Sequence, residues 1–117
     1  MMAIIKVKGA GKTVCNDFES ANNTLARMRG LMFRARPVSI LFDFYSEGIY
    51  PIHSFFVRFD FDAIYLDSDF RVVEAFESVK PNTALVKPTK NARYLLETAS
   101  GACAMLGIKP GTALEIL

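Results

Sequence analysis

Several residue types on which common active sites depend are scarce in this 117-residue sequence. It contains one histidine and two cysteines, and neither Cys15 nor Cys103 has a partner at the spacing of a zinc site or a redox pair. No calcium-loop spacing, serine-nucleophile motif, phosphate-binding loop or dinucleotide fingerprint occurs. The sequence therefore predicts no metal and no cofactor, and we expect both cysteines to pack as small apolar side chains.

Charge of one sign is also not in marked excess. Fourteen Lys and Arg against twelve Asp and Glu give a formal net charge of +2, and no run of like charges occurs. This balance is too mild to predict a nucleic-acid partner or a membrane surface as partner. The first residues lack the apolar core of a signal peptide, and no segment approaches membrane-spanning length. We therefore expect a soluble, cytoplasmic protein with reduced cysteines.

Aromatic residues, by contrast, are plentiful. Ten Phe and four Tyr, in a chain that is 51% hydrophobic and 22% charged, indicate an aromatic core of the kind found in small β-proteins. The length fits one domain, residues 1–117. We predict a mainly β fold (β-rich α+β): a partly closed barrel or two-layer sandwich of about seven to nine short strands with one or two short helices.

The N-terminal part of the chain predicts a hairpin followed by a helix. Ala3–Lys8 and Lys12–Phe18 are short β-type runs joined by a glycine-containing turn. Ser20 is a candidate N-cap, and Gly30 would end the helix. One apolar helical face is predicted from the spacing of Ala21, Leu25, Met28 and Met32.

The segment Ile52–Asp67 (IHSFFVRFDFDAIYLD) has the strongest β character. After Arg58 the apolar residues change from one face of the strand to the other. A single straight strand would not keep one buried face through this change, so we expect two strand pieces with a bulge or turn near Arg58–Asp60. The residues Asp67–Asp69 then predict a turn into a further strand, Phe70–Val79.

The remaining elements follow from turn residues and short apolar runs. By its period alone, Ala92–Thr98 fits either a buried strand or a helix. The other predictions are a strand at Ser39–Tyr45, a loop at Lys80–Lys90, a helical turn at Ala102–Leu106 and a last strand at Thr112–Leu117.

Four stretches of the chain resemble domain-of-unknown-function family 192. RMRGLMFR, at the end of Ala21–Arg34, resembles the family's arginine pair with Gly-Leu-Met and an aromatic-Arg step. ILFDF at Ile40–Phe44 and the steps Phe61-Asp62 and Leu66-Asp67 also resemble family motifs. YLLETASGACAMLGIKPGTAL, which begins at Tyr94, resembles the family's Leu-Glu strand and its Leu-Gly-Ile turn.

This resemblance implies a mainly β, barrel-like sandwich, and it favours a strand at Ala92–Thr98. It implies no particular activity, because the family has none established. The chain departs from the family at 53–56, where His-Ser-Phe-Phe stands in place of a frequent Trp-Met-x-Asn.

His53, the only histidine, is the first candidate for acid–base chemistry. Strand parity places it with Phe55 and Val57, so the alternative is a partly buried ring with one hydrogen bond. Asp60 and Asp62 would share a strand face and are candidates for a carboxylate pair. Their alternative is a solvated strand end, with Asp62 accepting hydrogen bonds from backbone amides.

Arginines form the second candidate group, with four of them in residues 27–36. Guanidinium groups present paired donors that suit a carboxylate or a phosphate. The predicted ligand-binding residues are Arg27, Arg29, Arg34 and His53. The alternative is a solvated face in which one arginine pairs with Glu19 or an aspartate.

Three functional hypotheses follow from these candidates. The one we favour is a non-catalytic module that binds a small molecule or a protein partner at a concave end of the β scaffold. The second is a small hydrolase or isomerase that uses His53 with Asp60 or Asp62. The third is a homo-oligomeric interaction module, because Phe55 and Phe56 would face opposite sides of a strand.

Overall fold

The structure is a computed structural model that describes residues 4–117. That part of the chain contains eight strands and two short helices, so the mainly β prediction is confirmed. In chain order the elements are β1 (Ile5–Val7), β2 (Lys12–Cys15), β3 (Glu19–Ala21), α1 (Thr24–Arg29), β4 (Ile40–Gly48), β5 (Phe61–Leu66), β6 (Val72–Val79), β7 (Ala92–Ala99), α2 (Ala102–Leu106) and β8 (Leu114–Ile116).

The strands form two sheets that do not close into a barrel. A three-stranded sheet has the order β2-β1-β8, and a five-stranded sheet has the order β3-β4-β7-β5-β6. Only β3 pairs in parallel, with β4; the other pairs of named strands in residues 4–117 are antiparallel. Of the two predicted architectures, the sandwich is therefore the one compatible with the structure.

Both faces of the five-stranded sheet are covered by apolar side chains. On one face, Ile64 and Leu96 pack with residues of the three-stranded sheet and of the α2 region, among them Ile5, Cys103 and Leu114. On the other face, strand residues pack with α1 and the segments that follow α1 and β4, through the side chains of Ala26, Leu31, Tyr50, Ile52 and Val57. The candidate site lies on this second face.

The predicted hairpins and the C-terminal elements are confirmed. β1 pairs with β2, and β5 pairs with β6, both antiparallel. Ala92–Ala99 is a strand, as the family resemblance implied, and Ala102–Leu106 is a short helix. Of the first predicted strand, Ala3 lies outside the described residues. Both cysteines are free thiols within the apolar layer between the sheets, as expected.

The predicted helical face is wrong. Ser20 belongs to β3, and Asn23 is the true N-cap, where its side-chain oxygen accepts a hydrogen bond from the Ala26 N–H at 2.8 Å. Leu25 and Met28 are 77% and 69% exposed. Because α1 is only six residues long and buries no residue completely, an apolar period cannot define its inner face.

The aromatic segment contains one strand rather than two. β5 begins at Phe61, whereas the chain before it makes a turn closed by a 3.2 Å hydrogen bond from the Val57 N–H to the Ser54 carbonyl. Phe56, inside this turn, has a positive φ of 63°. The Ser54 backbone instead exchanges hydrogen bonds with residues 82 and 83, so this stretch packs as a loop against the 80–90 loop.

Candidate functional site

Glu97 lies in the C-terminal half of β7, the central strand of the five-stranded sheet. Strand alternation directs its side chain to the same face as Leu95, the face covered by α1. Its register neighbours are Ile40 on β4 and Ala63 on β5. The residue is only 5% exposed, so a carboxyl group is enclosed by an otherwise apolar layer.

Gly30 ends α1 directly above this carboxyl group. Its N–H donates to the Ala26 carbonyl at 3.1 Å, and its backbone adopts φ 47° and ψ −126°, a conformation that suits glycine. A Cβ at this position would lie 3.4 Å from Glu97 Oε1 and 3.2 Å from Phe42 Cζ. The helix end therefore reaches the sheet closely while it leaves Glu97 uncovered by a side chain.

The loop after β4 brings His53 to the same place. Ser54, which is fully buried, holds this loop: its hydroxyl donates to the Lys80 carbonyl and accepts from the Thr83 N–H at 2.7 Å. Its own N–H donates to the Thr83 carbonyl at 2.9 Å. These bonds fix the backbone on the C-terminal side of His53.

A cavity of about 210 Å³ lies between β7, the end of α1 and the loop that carries His53. Arg27, Arg29 and His53 line it, and so does the buried Glu97. The other lining residues are mostly apolar, among them Leu31, Met32, Phe42, Ile52, Val57 and Phe61. Apolar walls with a few polar groups of this kind are the usual composition of a small-molecule site.

Burial raises the pKa of Glu97 to about 8. A carboxylate loses its water shell in the apolar layer, and in residues 4–117 neither a hydrogen bond nor a nearby charge offsets that loss. At neutral pH the group is therefore mainly a neutral carboxylic acid, which both donates and accepts hydrogen bonds.

The two arginines of α1 have few partners within the described chain. Arg27 Nη1 donates to the Asp43 carbonyl oxygen at 3.3 Å, whereas the Asp43 carboxylate is held by Arg93 at 3.1 and 3.2 Å. In residues 4–117 no hydrogen bond or ion pair engages the Arg29 side chain. Most of their donor groups are thus available to a bound anion.

His53 is exposed, so the expectation of a partly buried ring is wrong. Its Nδ1 accepts a hydrogen bond from the Phe55 N–H at 3.1 Å, and the two rings lie 5.2 Å apart between centroids. Because Nδ1 is the acceptor, the neutral ring carries its proton on Nε2. The chain bends here instead of continuing as a strand. The alternation of side chains from which a buried ring was expected therefore does not apply.

Arg34, the third predicted arginine, does not line this cavity. It makes two hydrogen bonds to the Glu19 carboxylate, at 2.6 and 2.7 Å, and these lower the pKa of Glu19. It lines a neighbouring groove of about 300 Å³ that shares Arg29 and Gly30 with the cavity. The structure therefore brings Arg27, Arg29 and His53 to the cavity, whereas Arg34 meets only Arg29, in the neighbouring groove.

Asp60 and Asp62 do not line the cavity either. Asp60 forms an ion pair with Lys80. Asp62 is fully buried on the opposite sheet face and accepts backbone N–H bonds from Ser78 and Cys103, each at 2.9 Å, and from Gly101 at 3.4 Å. Hydrogen bonding of Asp62 by backbone amides is the alternative weighed from the sequence.

Sequence reasoning overlooked Glu97. In the sequence it is one acidic residue after Leu95 and Leu96, and nothing in that run shows which strand is central in the sheet. Two signals were available: an acidic residue that interrupts an apolar β-type run, and the Leu-Glu step of the resembled family. Only the strand order shows that this acid is buried.

The described residues hold neither a metal-binding cluster nor a membrane-spanning helix. Within residues 4–117, no group of three or more His, Cys, Asp or Glu side chains is arranged to hold a metal ion. No helix in that part of the chain has the length and apolar character needed to cross a membrane.

Two solved structures have the same fold. A crystal structure from Sinorhizobium meliloti 1021, described provisionally as a transcription regulator, matches with a TM-score of 0.88 and 24% identity, over 97% of this chain and 92% of that chain. A protein of unknown function from Novosphingobium aromaticivorans matches with a TM-score of 0.85 and 22% identity, over 98% and 84%. At these identities the matches show the fold alone.

Two archaeal relatives are similar in sequence. A UPF0127 protein of Pyrococcus furiosus is 31% identical over 107 residues, 90% of each chain. A UPF0127 protein of Pyrococcus horikoshii is 35% identical over 83 residues, 69% of this chain and 70% of that one. The family model DUF192, described as "Uncharacterized ACR", matches residues 3–116. The chain therefore belongs to domain-of-unknown-function family 192.

Proposed function

We propose that this protein is a non-catalytic binding module for a small anionic molecule, which occupies the cavity between α1 and the five-stranded sheet. The observation that carries the proposal is the position of Arg27, Arg29 and His53 around one cavity. Guanidinium groups bind carboxylates and phosphates through charge-assisted hydrogen bonds.

The size and the walls of the cavity define the class of ligand further. Its volume of about 210 Å³ is below the roughly 300–1,000 Å³ of typical ligand pockets, which favours a small metabolite over a macromolecular segment. Apolar side chains such as Phe42 and Val57 suit a short hydrocarbon portion next to the anionic group.

The catalytic alternative receives less support. It needed an acid–base pair of His53 with Asp60 or Asp62, and neither aspartate lines the cavity. Asp60 is paired with Lys80, and Asp62 is enclosed by backbone amides on the other side of the sheet. We therefore propose binding rather than hydrolysis or isomerisation.

The proposal is tested by NMR titration of the ¹⁵N-labelled chain with small carboxylates, phosphate and sulfate. We expect chemical-shift changes concentrated in residues 27–32 and 51–57. Arg29→Gln should weaken binding about tenfold or more, because a charge-assisted bond is lost. Arg36→Gln is the matched control, since Arg36 is exposed and lines neither the cavity nor the neighbouring groove. Equal weakening by both variants, or shifts confined to another surface, would show that the site is misplaced.

Exposed aromatic residues favour a second function, self-association. The rings of Phe33 and Phe56 stack with centroids 5.1 Å apart, and each residue is 59% exposed. Phe55 is 41% exposed beside them. Exposed apolar side chains that lie together are typical of interaction surfaces. Sedimentation equilibrium over a wide concentration range tests this function, and Phe56→Ser should reduce any association; a monomer at every concentration would exclude it.

A further inference from the structure

We infer that the ligand is bipolar, with an anionic group at Arg27 and Arg29 and an uncharged hydrogen-bonding group that reaches the carboxyl group of Glu97. The inference rests on the proposed function, because Glu97 lines the same cavity as the two arginines. It specifies the chemical group at the inner end of the ligand and identifies Glu97 as the residue that recognises this group.

Glu97 is a buried residue whose carboxyl group makes no hydrogen bond to the described part of the chain. It is 5% exposed, and within residues 4–117 no hydrogen bond to its carboxyl group opposes the effect of burial. Among the fully enclosed side-chain nitrogen and oxygen atoms of residues 4–117, only Arg34 Nε lacks a partner, so the Glu97 oxygens reach the surface of the cavity. Since a polar group at a cavity wall is normally hydrogen-bonded, we expect an atom of the ligand to complete this bond.

The space next to this carboxyl group is kept open by glycine. Any other residue at position 30 would place its Cβ 3.4 Å from Glu97 Oε1 and 3.2 Å from Phe42 Cζ. That Cβ would fill part of the space beside the carboxyl group. Gly30 therefore ends α1 and also leaves space in the cavity beside Glu97.

The charge state of Glu97 selects an uncharged partner. The titratable groups that share its cavity are Arg27 and Arg29 from α1 and His53 from the loop, and Tyr65 lies close to it on the same face of the sheet. None of these groups offsets burial, which raises the pKa of Glu97 to about 8, so the acid mainly keeps its proton at neutral pH. A carboxylic acid pairs well with a hydroxyl, a carbonyl or an amide, whereas an ammonium group would need the ionised form.

The test compares matched ligands on the full chain at pH 6.5. Unbranched carboxylates of three to six carbons are titrated by NMR, each beside the ω-hydroxy and the ω-amino acid of equal length. We expect one ω-hydroxy acid to bind about tenfold more tightly than its plain carboxylate. Glu97→Leu should abolish this difference and Glu97→Gln should preserve it, because an amide also donates and accepts. Glu77→Gln, at an exposed position, is the control.

The outcomes separate this inference from the proposed function. If plain and ω-hydroxy acids bind equally while Arg29→Gln still weakens both, the bipolar ligand is wrong and the anion site stands. Tightest binding by an ω-amino acid overturns the inference too, because it would show that Glu97 acts as an anion. If phosphate or sulfate binds but no carboxylate in the series does, the inference is wrong and the anion site stands; if no anion binds, the proposed function fails and the inference fails with it.

Discussion

Glu97 makes the stability of the folded chain depend on pH. Burial raises its pKa from an ordinary 4.5 to about 8, so the folded chain holds this proton more tightly than the unfolded chain does. Between these two values unfolding releases a proton, and a rise in pH therefore favours the unfolded state. The stability that the proton provides is complete below about pH 4.5 and has been lost once the pH passes about 8.

Glu97→Gln should remove this dependence. We expect its free energy of unfolding to match that of the wild type near pH 4.5 and to exceed it near pH 8.5, by roughly 4 kcal/mol at most. Urea denaturation at pH 4.5, 6.5 and 8.5 measures the difference. Glu77→Gln serves as the control because Glu77 is exposed. Curves for wild type and Glu97→Gln that run parallel across this range would contradict the assignment.

Gly30 combines a backbone conformation that suits glycine with a close approach to the Phe42 side chain. Gly30→Ala should lower the free energy of unfolding by about 1–3 kcal/mol, since an L side chain disfavours φ 47° with ψ −126° and its Cβ crowds Phe42. Gly9→Ala is the matched control, because Gly9 has φ 77° but open space around it. Thermal and urea denaturation give both values. A smaller effect at Gly30 than at Gly9 would contradict the proposed crowding.

Among the helices and strands, the sequence predicts those that depend on nearby residues alone. Turn residues and alternating apolar residues define the β5–β6 hairpin, and Gly107 follows α2 as its C-cap. Helix α1 is different, because packing of Ala26 and of the following Leu31 holds it and Leu25 stays exposed. In a helix of six residues that is held by packing at its end, the spacing of apolar residues does not show which face is buried.

The candidate site depends more strongly on long-range order. Arg27, Arg29 and His53 stand out in the sequence through side-chain chemistry alone. Glu97 can be recognised as a site residue only from the position of β7 between β4 and β5. These strand pairings join residues far apart in the chain. Strand order of this kind is set by how two layers cover the sheet, and no local pattern encodes it.

Asp62 joins β5 to the turn before α2. Its carboxylate accepts the Cys103 N–H at 2.9 Å and the Gly101 N–H at 3.4 Å, and it also accepts the Ser78 N–H at 2.9 Å from β6. Asp62→Asn removes the charge and one acceptor oxygen. We expect a loss of about 1–3 kcal/mol in unfolding free energy, and faster amide hydrogen exchange at residues 101–105. Asp69→Asn, at an exposed position, should change neither measurement. Unchanged exchange in Asp62→Asn would mean that this carboxylate does not hold α2.

For the whole molecule, the five-stranded sheet is shared by both apolar layers. Leu95 and Leu96, both fully buried, are adjacent on β7 and project to opposite faces. One face carries the cavity and the other packs against the three-stranded sheet. Because β7 is bonded to β4 and β5 at once, separation of either layer leaves an apolar sheet face in water. The two layers should therefore unfold together.

Leu95→Ala and Leu96→Ala test this cooperation directly. Each removes a buried side chain from one layer, and each should lower the free energy of unfolding by about 2–5 kcal/mol. Urea denaturation followed by far-UV circular dichroism and by tyrosine fluorescence should give one coincident transition in both variants, as in the wild type. If the layers were independent, Leu95→Ala would shift only the transition of the cavity layer, which contains Tyr50 and Tyr65. The other layer, which contains Tyr94, would keep its own transition, so the unfolding curve would have two steps. Coincident transitions would place the binding cavity and the sandwich core in one folding unit.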